Sequence, residues 1–107
     1  MNSKTTKFHT ELGKLYITVA SDENGKPCQI FGTLGKAGSF NTSVVETICR
    51  LAALAIRHEV PFSKLKNELD GLGGMQPFVN TINGESFYIR SIGDCVLKAL
   101  SLGGVDE

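Results

Sequence analysis

Between Lys14 and Ala20 apolar and polar residues alternate: Leu15, Ile17 and Val19 fall on one side, Tyr16 and Thr18 on the other. That two-residue period predicts a strand with one buried face. Asn24-Gly25 follows, a pair that favours hairpin turns. Pro27–Leu34 then reads as the returning strand, with Cys28, Ile30 and Leu34 on one face and Phe31, between Gln29 and Thr33, on the other. Beyond Gly35–Ser39 the period changes. From about Asn41 to Glu59, Val44, Ile48, Leu51, Ala52, Ala55 and Ile56 recur at helical spacing, which predicts a long amphipathic helix with that stripe in the core. Ser39, Asn41 and Ser43 compete as its N-cap, and Ser43 has Glu46 three residues on, the capping-box pattern. Pro61 opens a second helix, with Phe62, Leu65, Leu69 and Leu72 on one face and Gly71 as its terminator. Phe78–Ile82 and Glu85–Arg90 flank Asn83-Gly84 and predict a second hairpin. A last helix runs through about Leu102, with Ile92, Cys95, Val96 and Ala99 on one face. Ser91 is placed to cap it and Asp94 sits in its first turn.

The predicted order is ββααββα. Strands and helices are segregated, which argues an α+β fold with antiparallel hairpins packed on helices. The chain has 107 residues, enough for one domain and one core but with little room for a deep active site. Residues 1–9 are polar and predict a flexible N-terminal tail. Residues 10–102 form the domain, and residues 103–107 a C-terminal tail.

Charge narrows the classes of partner. Lys plus Arg equals Asp plus Glu at 11 each, so a nucleic-acid polymer is not the expected partner. Three cysteines, Cys28, Cys49 and Cys95, share no close spacing and no histidine at metal-ligand distance along the chain. They read as small core residues in a protein of the reducing cytoplasm. Neither a signal-peptide core nor a bilayer-length apolar run is visible. No metal or cofactor is expected.

The candidate chemistry gathers at helix starts. Gly35-Lys36-Ala37-Gly38-Ser39 leads into the long helix. Glycines let backbone N–H groups line one concavity, and a helix N-terminus favours anions. The P-loop spacing is absent. Lys14, Gly35, Lys36, Gly38 and Ser39 form the first candidate site for a phosphate-bearing ligand. A plain turn that needs glycine for positive φ competes with it. Arg90 and Ser91 form a reserve site at the last helix, where simple capping competes. Arg50 and Arg57 share a face of the long helix and reach a phosphate or solvent. His9 and His58 stand apart, and no Ser/His/Asp order or acid pair emerges, so an enzyme is not expected.

Several runs, taken in order, resemble the TSCPD domain of adenosylcobalamin-dependent ribonucleotide reductases. They are Gly13-Lys14-Leu15-Tyr16-Ile17-Thr18-Val19, Asp22–Pro27, Leu34–Ser39, Arg50-Leu51 with Leu54–Arg57, Val60-Pro61 and Leu69–Leu72. Arg90-Ser91-Ile92-Gly93-Asp94 stands where the family has Thr-Ser-Cys-Pro-Asp, keeping only Ser91 and Asp94 of it. The resemblance spans roughly residues 10–102. It implies cysteines just before the Gly-Lys-Leu-Tyr run, after the second helix and inside the last motif. Here Leu12, Gly74 or Met75, and Ile92 occupy those places, and none supplies a thiolate for zinc or redox chemistry.

The resemblance implies a non-catalytic binding module for a nucleotide or another phosphate-bearing small molecule. One version is a phage-type sponge that sequesters a cyclic-nucleotide immune signal. The alternative is an accessory or remnant piece of a ribonucleotide reductase, acting through protein contact. Exposed hairpin edges and a small core also predict a homo-oligomer, a dimer first.

Overall fold

The computed structural model describes residues 2–36 and 38–103. Ala37, in the glycine-rich loop, and residues 104–107, most of the expected C-terminal tail, lie outside them. The elements are β1 (Asn2–Thr10), β2 (Gly13–Ser21), β3 (Pro27–Leu34), α1 (Ser39–Arg57), α2 (Phe62–Leu69), β4 (Phe78–Ile82), β5 (Glu85–Ile89) and α3 (Ile92–Leu102). The α+β class and the sequence ββααββα hold, with one further strand ahead of them.

That strand corrects the expected tail at residues 1–9. β1 pairs antiparallel with β2 along its whole length, Phe8 opposite Leu15 and Thr6 opposite Ile17. Its buried positions are Thr6, Phe8 and Thr10, so only one of the three is apolar and the alternation is hidden. Phe8 is nevertheless fully buried, a contribution of about 1.5–3 kcal/mol. Tertiary burial, not local pattern, fixes this segment.

β1, β2 and β3 form one antiparallel sheet in that order, and β4 and β5 form a separate hairpin. The two Asn-Gly pairs build different turns. Asn83 and Gly84 both take positive φ, at 54° and 79°, the two-residue primed turn. In the first hairpin only Gly25 does, at φ 79°. There Asp22 organises a longer loop: its side-chain Oδ1 accepts from the N–H groups of Asn24 and Lys26 at 2.8 and 3.0 Å.

The hairpin is tied to the sheet by one side chain. Asn80 is 3% exposed. Its Oδ1 accepts from the His9 N–H at 2.8 Å and its Nδ2 donates to the His9 carbonyl at 2.9 Å. The amide thus pairs with the outward edge of β1 as a strand would, and every buried polar side-chain atom among the described residues is satisfied.

α3 is the central helix. Cys95, Val96 and Leu100 are fully buried and Leu97 and Ala99 nearly so, so it is enclosed on more than the predicted face. α1 lies on the inner side of β3. Its buried stripe is Val45, Cys49, Ala52 and Ala53; of the predicted Val44, Ile48, Leu51, Ala52, Ala55 and Ile56, Ala52 is buried and Ile48 and Ile56 pack half-buried against the core, while Leu51 turns outward. Leu51 is 62% exposed. The reason is Gly32: a Cβ there would fall on Val45 Cγ1 and within 2.9 Å of Cys49 Sγ. The helix sits against a strand position that has no side chain, and that close approach selects its face of small residues.

α2 begins at Pro61 and ends on Asp70, followed by Gly71 at φ 74°. It presents Phe62, with Leu65 and Leu69, to the core. Leu72 lies beyond the helix and is exposed. No helix of the described residues is long and apolar enough to cross a membrane.

Candidate functional site

α1 starts immediately after the glycine-rich loop. None of Ser39, Asn41 or Ser43 caps it. The N-cap is Gly38, in extended conformation at φ −66° and ψ 163°, and no side chain closes the turn. The first turn carries no acidic residue. The first helical hydrogen bond runs from the Thr42 N–H to the Gly38 carbonyl at 3.2 Å. The N–H groups of Ser39, Phe40 and Asn41 therefore precede the helical ladder without a side-chain cap. Neither Gly35 nor Gly38 takes positive φ, and a Cβ on Gly38 would meet nothing within 4 Å. The loop glycines are not demanded by backbone strain, so the turn that needs them for positive φ is not what forms.

Beside this start lies an open hollow of about 440 Å³ lined by Ser39, Thr42, Ser43, Glu46, Thr47 and Arg50. Four hydroxyls face it. Arg50 is ion-paired to Glu46 one turn back. Lys36 is exposed at the mouth of the loop. Lys14 enters differently from its sequence assignment. Its carbonyl accepts from the Gly35 N–H at 3.0 Å. Its side chain, by strand alternation with buried Leu15, belongs to the sheet face opposite the helices. Lys14 positions the loop through its backbone.

The reserve site at α3 is closed. Ser91 is 6% exposed and its Oγ accepts from the Asp94 N–H at 3.0 Å. The Asp94 carboxylate in return accepts from the Arg90 N–H at 2.8 Å. This reciprocal cap fills the anion position with the protein's own carboxylate. Arg90 itself stacks over the Tyr88 ring, 5.0 Å from its centre. Capping explains these residues. Arg57 is also engaged, donating to the Cys28 carbonyl at 3.0 Å.

The cysteines divide by burial. Cys49 and Cys95 are buried and Cys28 is half-buried. Burial, and then the nearby Glu46, push the Cys49 thiol up to about 11. Burial raises Cys95 further, with Asp94 and Cys49 adding to it. Both stay protonated at neutral pH. Among the described residues no group of three His, Cys, Asp or Glu gathers to hold a metal.

A cleft of about 370 Å³ between α2, β5 and α3 gave no signal in the sequence, because its walls come from three separate elements. Phe87 and Tyr88 meet Lys66, Lys98, Asp70 and Asp94 there. Lys98 is already held, 2.7 Å from Glu85 and 4.4 Å from the centre of the Phe87 ring. Two lysines face two aspartates, and of these Asp94 and Lys98 are engaged by the Arg90 N–H and by Glu85.

A three-stranded meander, a helix pair, a second hairpin and a central capped helix, with candidate anion donors at a glycine-led helix start, define a small α+β domain. A family model, the TSCPD domain, matches residues 1–102, and the chain belongs to the TSCPD domain family. The match includes β1, consistent with its place in the sheet. Comparison with curated proteins and with solved structures returns no match.

The three positions at which the resemblance implies cysteine are brought to one end of the molecule. The Met75 N–H donates to the Arg90 carbonyl at 2.9 Å. The Gln76 N–H reaches Glu11 Oε1 at 3.3 Å. Leu12, Met75 and Ile92 all pack, half-buried, against the core. Hydrocarbon stands where the family pattern places thiols.

Proposed function

We propose that the protein is a non-catalytic binding module for a phosphate-bearing small molecule, a nucleotide being the class its family relation favours. The observation that supports this is the start of α1. It lacks a side-chain cap and acidic residues, and it opens beside a hydroxyl-lined hollow. Free N–H groups and the positive end of a nineteen-residue helix attract an anion. Lys36 supplies a charge, Ser39, Thr42 and Ser43 supply hydroxyl donors, and the exposed loop backbone gives close access.

The test is a thermal-shift panel of inorganic phosphate, nucleoside phosphates and cyclic dinucleotides, each beside its unphosphorylated nucleoside. A ligand of the folded state raises Tm by mass action. Phosphorylated members are expected to raise it and nucleosides not. Lys36→Ala should then weaken binding by about 1.5–3 kcal/mol, the scale of hydrogen bonds to charged groups, or roughly tenfold and more. A panel without any phosphate-dependent shift, or affinity unmoved by Lys36→Ala, rejects this reading.

A further inference from the structure

A second hollow, of about 270 Å³, continues the first along the flank of α1. It is lined by Gln29, Ile30, Phe31, Arg50, Ala53 and Arg57, and Arg50 belongs to both. The shared wall is one row of the helix. Ser39, Ser43, Glu46, Arg50, Ala53 and Arg57 follow at steps of four and three, so they stand above one another. Arg50 leans back to Glu46, one turn nearer the helix start, which brings its guanidinium between the two hollows. The far hollow straddles the free edge of the main sheet, because β3 is the last strand. The Lys14 carbonyl bonds toward the β3 side. By alternation Tyr16 and Thr18 do so too, with Thr33 and Phe31 as partners. Ile30 therefore turns its N–H and C=O to the open edge. Its side chain is buried, whereas Phe31 is 52% exposed and meets the hollow from the outer face of the sheet. Arg57 donates to the Cys28 carbonyl, and its guanidinium keeps further donors.

We propose that the far hollow takes a nucleobase and the two arginines a second phosphate, so that the ligand of the trough is a linear dinucleotide carrying a 5′-phosphate. This rests on the phosphate reading of the α1 start, which holds the 5′-phosphate. The bridging phosphate lies at Arg50, and the second base lies between the Phe31 ring and Arg57. Exposed aromatic and guanidinium faces stack bases of any sequence, and the open N–H and C=O of Ile30 offer a donor and an acceptor to the base edge. Length and charge select this class. From the first helical N–H groups to the level of Ala53 the helix rises about 20 Å, beyond the base-to-phosphate reach of a mononucleotide. The cations stand apart, Lys36 at one end and Arg50 and Arg57 at the other, with the Glu46 carboxylate between them. That carboxylate repels an unbroken run of phosphates, as in a triphosphate, and accepts a nucleoside that keeps two phosphates apart.

Titration calorimetry of the full chain with a nucleoside monophosphate, a nucleoside triphosphate and a 5′-phosphorylated dinucleotide tests this. The dinucleotide should bind about tenfold tighter, or more, than either of the others. Phe31→Ala and Arg57→Gln should each weaken the dinucleotide about tenfold and leave the monophosphate unmoved, whereas Lys36→Ala should weaken both. Phe31 is exposed, so its variant decides the matter even where loss of the Arg57 contact to Cys28 lowers the unliganded Tm. A dinucleotide that binds no tighter than the monophosphate overturns the inference and leaves the phosphate site at the α1 start standing. So does a dinucleotide indifferent to both Phe31→Ala and Arg57→Gln. If neither the monophosphate nor the dinucleotide binds, the reading of the α1 start falls, and this inference falls with it.

Discussion

α1 and α3 begin at the same end of the main sheet. Gly35 pairs with Lys14 beside the β1–β2 turn, and Met75 and Gln76 link Arg90 to Glu11 in that turn. Both helix starts follow a loop, both have a serine at hand, and both are candidate anion sites in the sequence. They are built oppositely. At α3, Ser91 and Asp94 close the first turn reciprocally and the serine is buried. At α1, Ser39 has passed inside the helix, Gly38 holds the cap position and the donors are left to solvent. A helix start whose own side chains satisfy it contributes to stability, and one left open keeps its donors for something else. The difference separates a structural helix from a candidate binding helix.

The comparison implies that α1 is held in place from its side, through Gly32, and not from its loop glycines. Gly32→Ala would drive a methyl into Val45 and Cys49. It should cost about 1–3 kcal/mol by overpacking and lower Tm visibly. Gly35→Ala should stay within about 0.5 kcal/mol, since its nearest neighbour, the Lys14 carbonyl, would lie 3.7 Å from the new Cβ. Equal losses in urea unfolding would mean that the loop, too, sets the helix.

How much of this was legible in sequence depends on what each signal measures. Alternation found β2 and β3, and Asn-Gly found both hairpins, because those signals are local. β1 was missed because Thr6 and Thr10 occupy two of its three buried positions. The cap at Ser91 was readable from Asp94 three residues on. At α1 the sequence left Ser39, Asn41 and Ser43 competing, the last with Glu46 three residues on, yet the cap is Gly38, since nothing local ends a helix pattern that continues upstream. The rotation of the α1 stripe, which keeps Ala52, Ile48 and Ile56 on the core and turns Leu51 out, had a deeper cause: Leu51 and Val44 outweigh Cys49 and Ala53 in hydrophobicity, but Gly32 on a distant strand decides which face fits. The apolar replacement of three thiols was legible as substitution at Leu12, Met75 and Ile92. Their convergence was not, because it depends on backbone contacts between segments far apart in the chain.

Serine substitution probes the two starts directly. Ser91→Ala removes the acceptor for the Asp94 N–H and leaves that donor in a buried turn. It should cost about 1–2 kcal/mol, the upper part of the range for a lost N-cap. Ser39→Ala removes an exposed hydroxyl that caps nothing and should leave stability within about 0.5 kcal/mol. Chemical denaturation of the two variants side by side checks the contrast. A comparable loss from Ser39→Ala would show that α1 is capped after all.

A modest gain in stability is the most telling change for function. Gly38→Asp supplies α1 with the cap and the first-turn charge that it lacks. Aspartate replaces glycine at an N-cap with a gain of a few tenths of a kcal/mol. Its charge adds about 0.3–1 kcal/mol at the positive end of the helix. The backbone accepts the change, since Gly38 is at φ −66° and a Cβ there meets nothing. The folded protein should therefore become slightly more stable at neutral pH. The sign with pH follows from the carboxylate. The helix start depresses its pKa in the folded state, so the charge-dependent gain is present above the ordinary Asp value of about 3.9 and is lost as pH falls through the lower folded value. Binding should move the other way. The new carboxylate occupies the N–H groups that the phosphate needs and repels it, so the phosphate-dependent shift in Tm should vanish while the unliganded Tm rises. Retention of that shift in a stabilised Gly38→Asp would detach phosphate binding from the α1 start, and loss of stability would mean that the open turn is required by the fold itself.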